Sequence, residues 1–261
     1  YTVQALDDRA LTCRVTATAK SGRYRIVTDY FTDPDRATVV MKTRFTALKG
    51  HRDDYKLYVR YDPTLNGNGG GGTGENDNGG PDSGSLASRD GHTVLVGSDP
   101  VTKTNAVNRD YAVPVFSALD ASRPFLAVSN GFAGAPSDGL KQLDAAHRLT
   151  ATFAKADNGN LVQTARVDLG RDGAFSLLLG FGQSSSEAVA TAQRSVHADL
   201  SEYSREWHRY DAKLVKPRRP HGVSSHTWDS LLDQYYLSAN YVKAAEDKTF
   251  RGAVAAALTS P

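Results

Sequence analysis

Cysteine is almost absent. The 261-residue chain holds one, Cys13, so no intrachain disulfide can form and packing alone must hold the fold. That leaves the compartment open, because many exported bacterial proteins also lack disulfides. An excess of either charge is missing too: 31 Lys and Arg stand against 29 Asp and Glu, a net +2, which excludes a strongly electropositive nucleic-acid binder. No apolar run approaches the roughly 20 residues needed to span a bilayer, and no basic-then-apolar leader follows Tyr1, so a soluble, processed or truncated chain is expected. Glutamate is scarce. Only Glu75, Glu187, Glu202, Glu206 and Glu246 are present among the acids, and the rest are aspartates. Asp competes with the backbone and favours turns, whereas Glu favours helix interiors. Four of the five glutamates follow residue 186, which predicts a turn-rich front and a helical tail.

The 39% apolar content is enough for a sizeable core. The front reads as strands over residues 11–18, 24–31, 38–45 and 55–61, separated by turn clusters at Lys20-Ser21-Gly22, Thr32-Asp33-Pro34-Asp35 and residues 49–54. In the last run Tyr55, Leu57, Val59 and Tyr61 share one face. Further strands are expected over 92–96, 124–129, 147–153, 161–169 and 175–181, with Asn158-Gly159 and Asp172-Gly173 as hairpin signals. About ten short strands with no helix pattern between them predict an antiparallel β-sandwich over residues 1–183. Residues 66–85 are rich in Gly, Asn, Asp and Ser without large apolar anchors; burial cannot offset their ordering entropy, so a mobile surface loop is expected.

The period changes at Ser184, which with Glu187 forms a capping-box pattern. Val189, Ala192, Val196, Leu200, Tyr203, Trp207, Tyr210 and Leu214 follow at steps of three and four, predicting one connector helix of about 30 residues, about 45 Å long. The stretch Lys216-Pro217-Arg218-Arg219-Pro220-His221-Gly222 breaks it. A second helix carries Trp228, Leu231, Leu232, Tyr235, Ala239, Val242 and Ala245 in register and should end near Asp247-Lys248. One further helix cannot build its own core, so residues 223–261 read as the opening of another domain. The connector and linker occupy 184–222.

Chemistry-bearing patterns are weak. Gly67, Gly69 and Gly72 match a dinucleotide fingerprint in spacing alone, because no amphipathic helix follows to bind a phosphate. Gly71-Gly72-Thr73-Gly74-Glu75-Asn76 with Asp77-Asn78 resembles a single calcium-binding glycine repeat, but Asn76 stands at the acidic ligand position. His51, His92, His147, His197, His208, His221 and His226 are scattered without zinc spacing, and His197 and His208 fall off the connector's apolar stripe. Trp207, Trp228, Tyr203, Tyr210, Tyr235 and Tyr236 sit at helical spacing, which favours packing over a sugar platform. Arg218-Arg219 reads as a solvated hinge. No serine-nucleophile elbow is present. No metal and no cofactor are expected.

Two stretches carry a resemblance. Gly22-Arg-Tyr-Arg-Ile26 through Tyr30-Phe31-Thr-Asp-Pro-Asp-Arg36, then Val40-Met-Lys-Thr-Arg-Phe45 and Leu57-Tyr-Val-Arg-Tyr-Asp-Pro63, resembles the N-terminal domain of bacterial glucoamylases and glucodextranases of glycoside hydrolase family 15. Val162-Gln163-Thr164-Ala165, Leu179-Gly-Phe-Gly182 and the segment from Ser184 through Trp207-His208-Arg-Tyr210 fit the end of that domain. The run from Lys243 to Pro261, most specifically Glu246-Asp247-Lys248-Thr249-Phe250, is similar to the first helix and loop of the family's (α/α)6 barrel. Arg251 stands where the family often has proline.

The resemblance implies a supersandwich-like fold leading into a barrel, with the sandwich's own beginning missing. It also implies an inverting, exo-acting α-glucosidase that releases glucose from non-reducing ends of α-glucans. Its two catalytic glutamates and the sugar-gripping Arg-Asp pair lie downstream of Pro261. No catalytic residue is therefore transferred to this chain, no substrate-binding residue is named, and the chain alone should be inactive. The partners implied are an α-glucan or oligosaccharide and the downstream barrel, with no nucleic acid and no membrane. The setting is a secreted or cell-envelope bacterial protein, or a cytoplasmic one. A stand-alone carbohydrate-associated binding or assembly module is the rival class, and a calcium-dependent adhesive module using residues 66–85 is a third. Linkage specificity stays open between α-1,4 and α-1,6.

Overall fold

The computed structural model describes residues 1–65, 82–99, 103–104, 109–110, 114–247 and 250–254. Most of the glycine-rich stretch, residues 66–81, lies outside them, as do Lys248, Thr249 and residues 255–261. The chain forms β1 (Thr2–Ala5), β2 (Cys13–Thr18), β3 (Tyr24–Thr32), β4 (Thr38–Ala47), β5 (Tyr58–Tyr61), β6 (Asp82–Arg89), β7 (His92–Asp99), β8 (Lys103–Thr104), β9 (Arg109–Asp110), β10 (Val115–Ala121) and β11 (Ala127–Phe132). Then come helix α1 (Gly139–Ala146), β12 (Ala156–Gly159), β13 (Leu161–Arg166) and β14 (Ala174–Gly182), followed by α2 (Ser185–Arg194), α3 (Leu200–Asp211) and α4 (Ser225–Ala244).

Nine strands form one antiparallel sheet in the order β1-β2-β3-β4-β14-β10-β7-β6-β12, and β11-β13-β5 form a second; β8 and β9 make a separate pair. The two main sheets face each other around Phe45, Leu95, Leu119, Val128, Ala165, Phe175 and Leu177. The other face of the large sheet is buried as well, where Phe31, Val40, Val94, Val96, Ala118 and Leu178 meet Ala188, Val189 and Ala192 of α2 and Tyr203 of α3. Neighbours in one strand thus belong to different cores: Leu95 between the sheets, Val94 and Val96 beneath the helices. This is why the polar-apolar alternation expected of a half-buried strand is imperfect here; a sheet covered on both faces has no polar side to alternate with.

Small and polar residues set how closely the layers approach. Gly84 and Gly97 pair across β6 and β7. A Cβ on Gly84 would lie 2.5 Å from Leu161 Cδ1 and 2.7 Å from Asn130 Oδ1. Gln163, fully buried on β13, donates to the Val96 carbonyl (3.1 Å) and to Asn130 Oδ1 (2.7 Å). Asn130 in turn donates to the carbonyls of Phe153 and Ala154. Residues 82–85, expected within the mobile loop, are therefore half of a paired strand. Their loop-like composition is what a tight inter-sheet contact needs.

Several other expectations are corrected. Residues 147–153 do not form a strand. Here Thr150 and Ala151 donate their N–H groups to Gln142 Oε1, and Phe153 N–H donates to Ser129 Oγ, so side chains take the place of a ladder. Helix α1 interrupts the strand region. Asp138 caps it by accepting from Leu140 N–H, and this cap signal precedes Gly139, whose missing side chain makes room for Thr164. Asn158-Gly159 and Asp172-Gly173 do turn the chain, with φ of 64° at Asn158 and 73° at Gly173. Neither closes a hairpin, because each passes from one sheet to the other. The two-residue hairpin turn of this type is Asp90-Gly91, both residues at positive φ, joining β6 to β7.

The connector is not one helix. After α2 the chain tightens into a 3-10 turn at Ser195–His197, and α3 starts afresh at its cap Asp199. Asp199 with Glu202 three residues on repeats the capping pattern, a signal hidden by the unbroken apolar spacing. The hydrogen bond from the Ser201 hydroxyl, chiefly, and the neighbouring Lys42 ammonium bring the Asp199 carboxyl down to about 2. At the start of α2, Ser184 Oγ accepts from Glu187 N–H at 3.2 Å. Ser184→Ala should cost about 1 kcal/mol of stability, measured by urea unfolding; an unchanged midpoint would show that this cap contributes nothing.

Candidate functional site

The segment between β1 and β2 joins the sheet, α3 and α4. Asp7 folds it by accepting the N–H groups of Arg9 and Ala10 at 2.9 and 3.1 Å. Its other oxygen lies 2.9 Å from His208 Nε2 on α3. Burial raises the Asp7 carboxyl, but these hydrogen bonds and the imidazole outweigh it and hold the group below its ordinary value. Tyr203 of α3 donates to the Leu11 carbonyl at 3.4 Å.

Arg9 is the centre of the junction. Its guanidinium lies 3.0 Å from Asp233 and 3.9 Å from Asp211, and 4.0 Å from the centre of the Tyr236 ring. Asn240, fully buried, donates to the Arg9 carbonyl at 2.6 Å. Asp233, Tyr236 and Asn240 recur at i, i+3 and i+7 and so share one face of α4, the face that docks. The apolar stripe of Trp228, Leu231, Tyr235 and Val242 lies on the other side, and Leu231 and Val242 are 45% and 59% exposed. The helix is attached through its polar side; on the apolar side Leu231 and Val242 are exposed, while Trp228 and Tyr235 are half-buried, Tyr235 donating to the Val215 carbonyl. Sequence periodicity finds the stripe and misses the docking face, since Arg9 is more than 220 residues away.

Beside this junction runs an open groove of about 780 Å³, lined by Cys13, Tyr30 and Phe31 from the sheet and by Asp233, Leu237 and Tyr241 from α4, with Asp7 and Asp8 at its side. Asp7 and Asp233 are already engaged by His208 and Arg9. Three glutamates serve local structure: Glu187 accepts from Gln183 N–H, Glu206 pairs with Arg209, and Glu246 pairs with Lys243 and accepts from Gly252 N–H, while Glu202 lies in the first turn of α3. Glu75 lies outside the described residues. Asp7 and Asp211 shift in opposite directions, a pattern that elsewhere marks an acid and a base. Here Asp211 is 6% exposed and does not line the groove, so no substrate atom could reach both.

The remaining sequence candidates are dispersed. His92 Nδ1 lies 3.1 Å from buried Asp120, while His51 and His147 flank short helices. Among the described residues no three His, Cys, Asp or Glu side chains cluster to hold a metal, and Gly67–Gly72 and residues 71–78 lie outside them. Trp207 packs edge-on against Tyr203 and Tyr210 at the edge of the helix-side core. Arg219 donates to the Val223 carbonyl in the linker. No helix among the described residues is long and apolar enough to cross a membrane.

The chain is thus an antiparallel sandwich whose larger sheet carries a helical layer, leading to a helix docked by its polar side. Residues 1–212 match the model of the family described as glucodextranase, domain N, and the chain belongs to that family. It is 29% identical over 263 residues to a glucoamylase of Clostridium sp. (strain G0005), covering 99% of this chain and 32% of that protein. It is also similar to a bacterial glucoamylase whose crystal structure holds acarbose, at 30% identity and a TM-score of 0.75 over 99% of this chain and 34% of that one. The chain thus spans about a third of the length of these relatives.

Proposed function

We propose that the chain is the non-catalytic N-terminal portion of an inverting, exo-acting α-glucosidase of the glucoamylase or glucodextranase type, releasing glucose from non-reducing ends of α-glucans. The likeness to glucoamylases over 99% of the chain carries this reading. On this reading residues 1–183 are the sandwich domain, 184–222 the connector and linker, and 223–261 the start of an (α/α)6 barrel, within a secreted or cell-envelope bacterial protein or a cytoplasmic one. Inversion needs one carboxylic acid to protonate the leaving oxygen and one carboxylate to activate water, roughly 6.5–9.5 Å apart. Both would be supplied downstream of Pro261. The apolar stripe of α4, exposed at Leu231 and Val242, supports this, as it gives later barrel helices a surface to pack on.

The test is an assay on maltooligosaccharides and isomaltooligosaccharides, using residues 1–261 alone and the same chain completed by its downstream partner. Glucose with inverted anomeric configuration should appear only with the completed protein. Removing either proton-transfer group lowers such rates by about 10²–10⁴, so residues 1–261 should show no release above background. Hydrolysis by residues 1–261 would relocate the chemistry. An inactive completed protein that still binds glucan would replace this reading with a carbohydrate-binding module.

A further inference from the structure

We infer that the sandwich end carrying the β13–β14 turn is a docking surface for an anionic phospholipid bilayer, formed by converging arginines and two outward leucines. The turn, residues 167–173, is the centre of this end. Arg44 donates to the Asp172 carbonyl at 3.2 Å, and Arg52 donates to the Arg171 carbonyl. The Arg123 guanidinium lies against Gly170, 3.9 Å from the Asp172 carboxylate. Three guanidiniums thus meet at one turn, and exposed Arg171 adds a fourth from the turn itself. Each guanidinium carries five N–H donors, and these hydrogen bonds use one of Arg44 and one of Arg52.

The loops around the turn share this charge. Segments 19–23, 48–57, 122–126 and 167–173 carry seven Lys and Arg against four Asp, more net positive charge than the whole chain has. Three of those aspartates already accept backbone N–H groups: Asp54 from His51, Asp168 from Gly170 and Asp172 from Ala174. The fourth, Asp53, lies 3.7 Å from Arg52. Lys20, Arg23, Lys49, Lys56 and Arg171 are exposed. The platform is cross-linked: Leu48 and Lys49 donate their N–H groups to the Arg23 carbonyl, and the Tyr55 hydroxyl donates to the Lys49 carbonyl at 2.6 Å. Beside the cations Leu48 is 42% and Leu126 54% exposed. A lone exposed leucine is ordinary, and a soluble polyanion has no use for two. A bilayer uses both features, because basic side chains meet the lipid phosphates while leucines enter the acyl boundary. The expectation of no membrane partner rests on the lack of a spanning run, which a surface contact does not need. The groove beside α4 is lined by Tyr30, Phe31 and Thr32, at the other end of β3 from Tyr24 and about 27 Å away at about 3.4 Å per residue, so the two surfaces are separate.

The experiment is co-sedimentation of the 261-residue chain with vesicles of phosphatidylglycerol and phosphatidylcholine in equal parts. Phosphatidylcholine vesicles and soluble polyphosphate are the comparisons. Binding should require phosphatidylglycerol and weaken as salt rises. K49Q/R171Q removes two exposed charges that bond no other side chain among the described residues, and it should lower vesicle affinity about 25-fold, at about fivefold per cation. L48S/L126S should weaken binding to vesicles and leave binding to polyphosphate unchanged. K213Q/R218Q, the same loss of charge in the helical tail, should bind as wild type does. No sedimentation with either vesicle, equal binding to both, or an unmoved K49Q/R171Q overturns the inference. So does an equal loss in K213Q/R218Q. Vesicle binding unmoved by L48S/L126S, with polyphosphate bound as tightly, would make the partner a soluble polyanion instead.

Discussion

Gly180→Val should be strongly destabilising, lowering stability by about 3 kcal/mol in urea or thermal unfolding. Gly180 lies on β14 directly under α2. A Cβ there would stand 2.5 Å from Ala192 N and 2.8 Å from Ala188 O, both backbone atoms of the helix. A flexible side chain could swing aside; a helix backbone cannot do so without moving α2 off Val40, Val96 and Leu178. Gly180→Ala should do the same to a lesser degree. A valine variant within about 0.5 kcal/mol of wild type would mean that α2 does not seat on the sheet in this way.

Arg9→Glu should release α4. The substitution faces a new carboxylate toward Asp211 and Asp233 and removes the cation over Tyr236. The Arg9–Asp233 pair is screened, since Asp233 is 67% exposed, and contributes under about 1 kcal/mol; with the enclosed Asp211 left facing a like charge, about 1–2 kcal/mol is the appropriate scale. Hydrogen exchange should show α4 unprotected while β4, β10 and β14 stay protected, because their cores do not include Arg9. Arg9→Lys should give an intermediate result, keeping the charge and losing the flat guanidinium that stacks on Tyr236. Equal protection of α4 in wild type and Arg9→Glu would show that the helix is held by something else.

The sequence was most readable where one element is its own explanation. The strands over 24–31, 38–45 and 175–181 lie within β3, β4 and β14, since β-rich residues bounded by turn clusters need no distant information. The cap at Ser184 was legible for the same reason. Readability fell where the partner is remote. Asn158-Gly159 marks a turn, but whether the next strand returns to the same sheet depends on β13 pairing with β5, about a hundred residues earlier. Asp82-Ser83-Gly84-Ser85 has loop composition, and only the approach of Leu161 and Asn130 makes smallness a packing requirement. The connector failed differently: Val196 and Leu200 keep helical spacing across a break, so periodicity alone spanned it.

For the candidate site, the sequence displayed the apolar stripe of α4 but not the polar face that fixes the helix. Asp233 and Asn240 lie off the apolar stripe, and Tyr236 reads as packing without a partner, until Arg9 is placed against them. On the proposed reading the catalytic glutamates lie downstream of Pro261.

The sheet with two buried faces also bears on how the chain folds. Leu177 and Leu178 are separated by one peptide bond, yet the first packs toward the second sheet and the second toward α2. Truncating each in turn would time two different events, the closing of the two sheets and the arrival of the helices, from adjacent positions in one strand. If the refolding rate responds to Leu177→Ala and the unfolding rate to Leu178→Ala, the helical layer is added last, to a pair of sheets already assembled.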